Sequence, residues 1–370
     1  MVEMSAGTFV VDEQPDYYEI HTSDRTLFKR CRRKWWFRSP LCQHLVPKDQ
    51  PQNINLWFGT GFHFALEDYH GYNYFGDPVK ALEAYYLAFR PEELPEDADD
   101  IVALGMDMFE YYKKWLERRD YYKTVWLNGE PLVEVPFELE VAEVSAIRDK
   151  PVVYRGTIDR IVEDPEGNWW VEDFKTAARI DTNKLANDPQ ISTYVWAAEQ
   201  VFEREIMGML FTQFAKDTPK PPKELKNGEL SVNKQQKTTH RIYRDALLER
   251  YPDGNFPGKY VEFLNELAEK ETPEGDRFIR RDEVHRNTDA KISTYNHIVK
   301  EATEMTNPDL MIYPNPTRDC SWDCAEYRSV CLAMDEGGDW EYMLSEFFET
   351  KQEEGDEWQN RITWPEEANK

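Results

Sequence analysis

Asp159 and Asp173 stand 14 residues apart, placed symmetrically about a turn centred near Glu166. Residues 154–163 read as a strand, 164–168 as a turn and 169–175 as the returning strand. In a hairpin folded about that centre the two carboxylates face each other, with Cβ atoms roughly 5 Å apart. That arrangement is repulsive unless a cation neutralises it. Strand alternation puts Lys175 on the same face as Asp173. Two carboxylates and an ammonium around one point suit a divalent metal and a water to be activated, so the chemistry expected is phosphodiester hydrolysis. An acid-x-Lys triplet alone is common: Asp289-Ala290-Lys291 and Glu349-Thr350-Lys351 also fit it, and such a pair ordinarily marks a solvated strand face. Context separates Asp173-Phe174-Lys175. It follows the apolar run Trp169-Trp170-Val171 and is preceded by Gly156-Thr157-Ile158-Asp159-Arg160. Beyond it, Gln190 and Tyr194 are i and i+4 on an expected helix and share one face.

The elements that must hold these groups follow from capping and periodicity. Helices are expected at 23–37, with Ser23 as N-cap, and at 56–69, 78–89 and 97–118, a helical stretch arching over the site. Strands are expected at 132–141, 151–163 and 168–175. A helix at 188–203 has Asp188 as N-cap and Pro189 in its first turn, and a strand at 205–215 follows. Residues 216–237, with Pro219, Pro221, Pro222 and Gly228, read as a loop. A strand at 238–243 is expected to pair with 277–285, ahead of a helix at 289–305. Residues 1–20 read as a mobile acidic N-terminus; 21–334 read as one domain with a helical insertion at about 56–125, although the composition equally allows two small domains. Residues 335–370 read as an acidic tail, docked or disordered, whose Trp340, Phe347, Phe348 and Trp358 make it a candidate interaction segment.

The run Gly156-x-x-Asp159-Arg160, Asp173-Phe174-Lys175-Thr176 and Gln190-x-x-x-Tyr194 resembles the PD-(D/E)xK nuclease superfamily, in its RecB-type branch. Phe58-Gly59-Thr60-Gly61-Phe62-His63 resembles the glycine-containing helix that delivers a histidine to the metal in that branch. Glu134, in Val133-Glu134-Val135, is a weaker candidate for a glutamate on the strand before the hairpin. The resemblance implies an α/β, restriction-endonuclease-like fold, with a central mixed sheet flanked by helices. It also implies that Asp159, Asp173, the Phe174 carbonyl and His63 hold Mg²⁺ or Mn²⁺. Lys175 then orients or deprotonates a water and stabilises charge on the phosphate, while Gln190 and Tyr194 position the nucleic-acid backbone. The activity implied is that of a metal-dependent deoxyribonuclease, an exonuclease on single strands or duplex ends in replication, recombination or repair. A structure-specific endonuclease and a nucleic-acid-binding protein without turnover are the alternatives. Stand-alone proteins of this type occur in phage genomes.

Five cysteines are present, and Cys320-x₃-Cys324-x₆-Cys331 near one end joins Cys31 near the other. This split set resembles the iron–sulfur nucleases of the AddB and CRISPR-adaptation type, in which four thiolates hold a 4Fe–4S cluster that pins the two ends of the chain. The spacings depart from the two and five intervening residues usual there. A structural Zn²⁺ site is chemically allowed by the same thiolates, and free or disulfide-bonded cysteines are the remaining readings. Cys42 lies outside the pattern.

The 370 residues are 40 % apolar and 14 % aromatic, enough for a sizeable core. No apolar stretch reaches membrane-spanning length and the first residues carry no signal pattern, so a soluble cytoplasmic protein is expected, in the host cytoplasm if phage-encoded. A formal charge of −26 opposes a nucleic-acid partner. Screening over about 8 Å leaves local clusters decisive. Lys29, Arg30, Arg32, Arg33 and Lys34 adjoin Trp35, Trp36 and Phe37, and Arg160 adjoins the acidic pair. Arg32, Arg33, Lys34, Trp35 and Arg160 are therefore candidate contacts to DNA, through phosphate pairing and base stacking. Further basic clusters lie between Lys216 and Arg241 and between Arg277 and Arg286. A recombination or replication protein is a candidate partner for the acidic tail.

Overall fold

The computed structural model describes residues 16–49, 53–89, 98–322 and 324–351. In chain order the elements are β1 (Tyr18–His21), α1 (Thr22–Arg30), α2 (Arg32–Arg38), β2 (Leu45–Pro47), α3 (Ile54–His70), α4 (Pro78–Ala88) and α5 (Ala98–Leu116). Then come the short strands β3 (Lys123–Thr124), β4 (Trp126–Leu127) and β5 (Glu130–Pro131), followed by β6 (Val133–Glu140), α6 (Ala142–Ser145), β7 (Val152–Glu163) and β8 (Trp169–Ala177). The chain continues through α7 (Pro189–Phe202), β9 (Ile206–Ala215), α8 (His240–Arg250), α9 (Gly258–Ala268), β10 (Ile279–His285), α10 (Thr288–Met305), α11 (Arg328–Glu336), α12 (Trp340–Phe347) and β11 (Phe348–Thr350). It divides into two compact units. One comprises Gln52–Leu139 and Gly156–His297, the other Met1–Pro51, Glu140–Arg155 and Ile298–Lys370.

The larger unit is built on a mixed sheet. β7 and β8 pair antiparallel, from Glu163↔Trp169 to Arg160↔Glu172. Their turn is held by the Asp164 carboxylate, which accepts the N–H groups of Glu166 and Asn168, and by Gly167 at φ +87°. β8 runs parallel to β9, and β9 antiparallel to β10. Its first six residues are all buried, as befits a strand covered on both faces. Phe174 and Phe214 meet Phe62, Phe109 and Tyr112 from α3 and α5 in one aromatic core. Alternation turns Asp173 and Lys175 to the opposite face, and α7 packs against β8 and β9. A mixed sheet flanked by helices is consistent with a restriction-endonuclease-like fold.

Residues 238–243, expected as a strand, instead cap and open α8. Thr239 Oγ1 accepts the Ile242 N–H at 3.3 Å, and the pairing partner of β10 is β9. Tyr243 and Leu247 on α8, and Tyr260, Phe263, Leu264 and Leu267 on α9, close a small core of their own. Their spacing is helical, and the short run before Tyr243 hides it.

In the smaller unit, β1 pairs parallel with the start of β7, Tyr18↔Val152 to His21↔Arg155, and Ile20 is fully buried. The segment expected to be mobile is therefore ordered from β1 onward; residues 1–15 lie outside the described ones. The single helix expected at 23–37 is two, because Cys31 is extended (φ −161°, ψ 112°) between α1 and α2. The N-cap is His21 rather than Ser23. The beginning of the acidic tail is docked: β11 pairs with β2, and Phe348 stacks on Tyr327 at 5.2 Å. Residues 352–370, with Trp358, lie outside the described ones. Among the described residues no helix is long and apolar enough to cross a membrane.

Candidate metal centre

His63, Glu134 and Asp159 bring one ligand atom each to within 4.8 Å of one another. Three elements deliver them: α3, the start of β6 and the middle of β7. α3 carries His63 two residues after Gly61, where a Cβ would sit 2.6 Å from the Tyr86 ring and 2.7 Å from that of Tyr85. Gly61 thus lets α3 lie close against α4. Glu134 adopts φ +45°, uncommon for a residue with a Cβ and typical of strain kept at functional sites. His63 Nδ1 lies 3.6 Å from Asp159 Oδ2 and 3.7 Å from Glu134 Oε1. Burial pulls the imidazole pKa down, but Asp159 and Glu134 more than reverse this and raise it.

Continuing the hairpin register by one rung brings Asp159 opposite Asp173. The Asp159 carboxylate accepts the Phe174 N–H at 2.7 Å, replacing a ladder bond there. Asp173 is 1 % exposed. Its Oδ1 accepts from Lys175 Nζ at 3.0 Å and from Gln190 Nε2 at 3.2 Å, while Oδ2 is buried with no hydrogen-bond partner among the described residues. Burial, with Asp159 adding to it and Lys175 opposing, pushes the Asp173 carboxyl up to about 6. Burial would lower the Lys175 pKa, but the carboxylates of Asp173 and Asp159 outweigh it and raise it. Lys175 is therefore a cation at neutral pH, suited to orienting water and stabilising negative charge. The Phe174 ring stacks on His70 at 5.7 Å and 8°, which anchors the backbone between Asp173 and Lys175.

α7 begins where the sequence places it: Asp188 Oδ1 accepts the Gln190 N–H at 2.8 Å, ahead of Pro189. Gln190 orients Asp173. One turn on, the Tyr194 ring meets Phe137 edge-on at 6.1 Å. Gly156 makes room for Phe137, since a Cβ there would lie 2.6 Å from its ring.

Hard oxygens with one imidazole suit Mg²⁺ or Mn²⁺, and the orphaned Asp173 Oδ2 is an acceptor with no donor among the described residues. These residues fit a divalent cation. Glu134, the weaker candidate of the sequence, joins His63 and Asp159 in the compact group, and Asp173 stands beside it, opposite Asp159. The sequence signal of Glu134 is faint, a carboxylate between two valines.

The four patterned cysteines all lie in the smaller unit, where Cys31, Cys320 and Cys331 act electrostatically on Cys324. Burial pushes the Cys324 thiol up to about 11, Lys34 opposes this, and Cys31, Cys320 and Cys331 each add to it. Donors also reach the sulfurs. The Asn315 N–H points to Cys31 Sγ at 3.4 Å, the Thr317 N–H to Cys320 Sγ at 3.4 Å, and Arg33 Nη1 to Cys331 Sγ at 3.5 Å. Donors thus reach three of the four sulfurs, the kind of hydrogen bonding that bound thiolates receive.

The expected DNA contacts lie elsewhere than on an open surface. Arg33, Lys34, Trp35 and Arg160 are all buried. Arg33 also binds Asp335 at 2.8 Å, and Arg160 binds the buried Glu172 at 2.8 Å. Arg32 pairs with Glu304 and covers the rings of Phe28 and Tyr313. Among the other basic clusters, Lys237 pairs with Asp217 and Lys234 with Glu266, and Arg280 pairs with Asp282. Asp335, Glu304, Glu172, Asp217 and Glu266 stand 12 or more residues off in sequence, whereas Asp282 is a neighbour of Arg280 on β10 itself.

The family model described as the PD-(D/E)XK nuclease superfamily matches residues 22–332. No match is found among curated proteins.

Proposed function

The chain belongs to the PD-(D/E)XK nuclease superfamily, and on that premise we propose that it is an exonuclease hydrolysing single-stranded DNA or DNA ends. The carrying observation is the convergence of His63, Glu134 and Asp159 beside an Asp173 whose Oδ2 has no donor among the described residues and whose Oδ1 holds Lys175. His63, Glu134 and Asp159, with Asp173 and the Phe174 carbonyl, are the groups to hold the ion. A divalent cation there supplies a polarising charge for the scissile phosphate and a bound water of lowered pKa. Gln190 keeps Asp173 in place. Lys175, held protonated by its carboxylate neighbours, orients the attacking water and stabilises charge on the phosphate. Tyr194 positions the backbone of the nucleic acid.

Cys31, Cys320, Cys324 and Cys331 are the ligands proposed for a 4Fe–4S cluster, supported by their electrostatic influence on one another and by the donors to three of the sulfurs. Its role is structural, tying α2 to the segment before α11.

Digestion of linear and circular single-stranded DNA with Mg²⁺ or Mn²⁺ tests the reading. Loss of linear strands alone is the expected result. Cleavage of the circle makes the enzyme an endonuclease, and no cleavage of any DNA form refutes hydrolysis of DNA.

A further inference from the structure

Gln213 lies on β9 as the register partner of Lys175 on β8, so its side chain shares the face of Lys175 and Asp173. It is only 4 % exposed. Its Oε1 accepts the Asp181 N–H at 3.0 Å, which settles the orientation of the amide, because the flipped form would set two N–H groups against each other. The Nε2 that this leaves is buried and has no hydrogen-bond partner among the described residues. A buried unmet donor is costly and uncommon.

Two orphaned polar atoms therefore flank Lys175 on one sheet face: the acceptor Asp173 Oδ2 and the donor Gln213 Nε2. An acceptor without a donor suits a cation. A donor without an acceptor, beside an ammonium, suits an anion. On the far side of Gln213, its β10 register partner is Arg280, a guanidinium tied to Asp282, so the donor stands in a row with two cationic side chains. The substrate of a phosphodiesterase is itself an anion bound against a cation. We propose that Gln213 is a substrate-contacting residue whose Nε2 donates to a non-bridging oxygen of the phosphodiester held beside Lys175. This rests on the metal-dependent nuclease reading of the same site. The Asp181 bond already orients the amide.

The alternative role is structural: Gln213 anchors the segment after β8 through Asp181 and does nothing else. Gln213→Glu keeps that acceptor but removes the donor. Gln213→Met removes both without adding charge. The test measures Mn²⁺-dependent cleavage of an end-labelled single-stranded oligonucleotide, its affinity in Ca²⁺, and thermal melting. We expect Gln213→Glu to melt as the wild type does, and both variants to lose about 10- to 100-fold in kcat/KM and in affinity, the size of one charge-assisted hydrogen bond. Wild-type behaviour in Gln213→Glu leaves only the anchoring role and overturns the proposal. Wild-type behaviour in Gln213→Met shows that the glutamate acted through charge alone and overturns it equally. If the wild type binds the oligonucleotide without cutting it, the nuclease reading fails by itself, and the Ca²⁺ affinities of the two variants still decide for or against Gln213.

Discussion

Glu172→Gln is the most demanding perturbation the structure offers, because it removes one negative charge from between two buried guanidinium groups. Glu172 is fully buried. Its Oε2 accepts from Arg160 Nη1 at 2.8 Å, its Oε1 lies 2.8 Å from Arg281 Nη2, and Thr212 Oγ1 donates to it at 2.8 Å. Arg160 and Arg281 are buried as well. At an effective dielectric of about 20, a pair at about 4 Å is worth about 4 kcal/mol. Removing one partner of a buried pair costs about 3–5 kcal/mol, chiefly through the charge left behind. Gln keeps shape and part of the hydrogen bonding, so about 4 kcal/mol is the expected loss. That is a large share of a stability of about 5–15 kcal/mol. With an m-value of about 3 kcal/mol/M, the urea midpoint should fall by about 1–1.5 M. Arg160↔Glu172 is also the last rung before Asp159 and Asp173, so cleavage should fall even where the variant remains folded. Equilibrium urea unfolding by tryptophan fluorescence measures the first effect. A loss below about 1 kcal/mol would show that water reaches the triad, and would refute the dry ion network on which the estimate rests.

Three further outcomes are expected. Asp173 has a folded-state pKa near 6 against an ordinary 3.8, so ionising it in the fold is unfavourable, and the stability of the metal-free protein falls as pH rises from about 4 to 6. Because a cation must displace that proton, the Mn²⁺-induced rise in melting temperature should grow over the same window; an equal rise at pH 4.5 and pH 7 in Asp173→Asn and wild type alike argues against Asp173 as a ligand. Glu19 is held near 2, first by its hydrogen bond to His21 and also by Arg155. Its depressed pKa gives stability that is present above about 4.5 and lost as pH falls towards 2. With Glu19 24 % exposed, Glu19→Gln should cost about 1–2 kcal/mol at pH 7 and nothing near pH 2 by thermal melting. Cys324→Ser should bleach absorbance near about 400 nm in anaerobically purified protein, whereas colourless wild-type protein loaded with zinc would replace the cluster with a zinc site.

The hairpin was legible because its determinants are local. Alternation, the Asp164–Gly167 turn and the symmetry of Asp159 and Asp173 all act within a stretch of 15 residues, 159–173, and the observed register agrees with them. Asp188 and Pro189 likewise place the start of α7 through groups within one turn. Partners distant in the chain were not legible. The run Arg32-Arg33-Lys34-Trp35 reads as a basic, aromatic face for DNA, yet Asp335, about 300 residues on, claims Arg33, and the core claims Trp35. Glu134 joins the metal group through a backbone conformation that its valine neighbours do not announce, and Gln213 carries no motif at all. Short-range sterics and capping act on neighbours, so the amino-acid order alone determines where these local elements begin and how the hairpin pairs. Which charge meets which, and which polar atom is left without a partner, depends on burial and long-range pairing, and only the folded chain decides those.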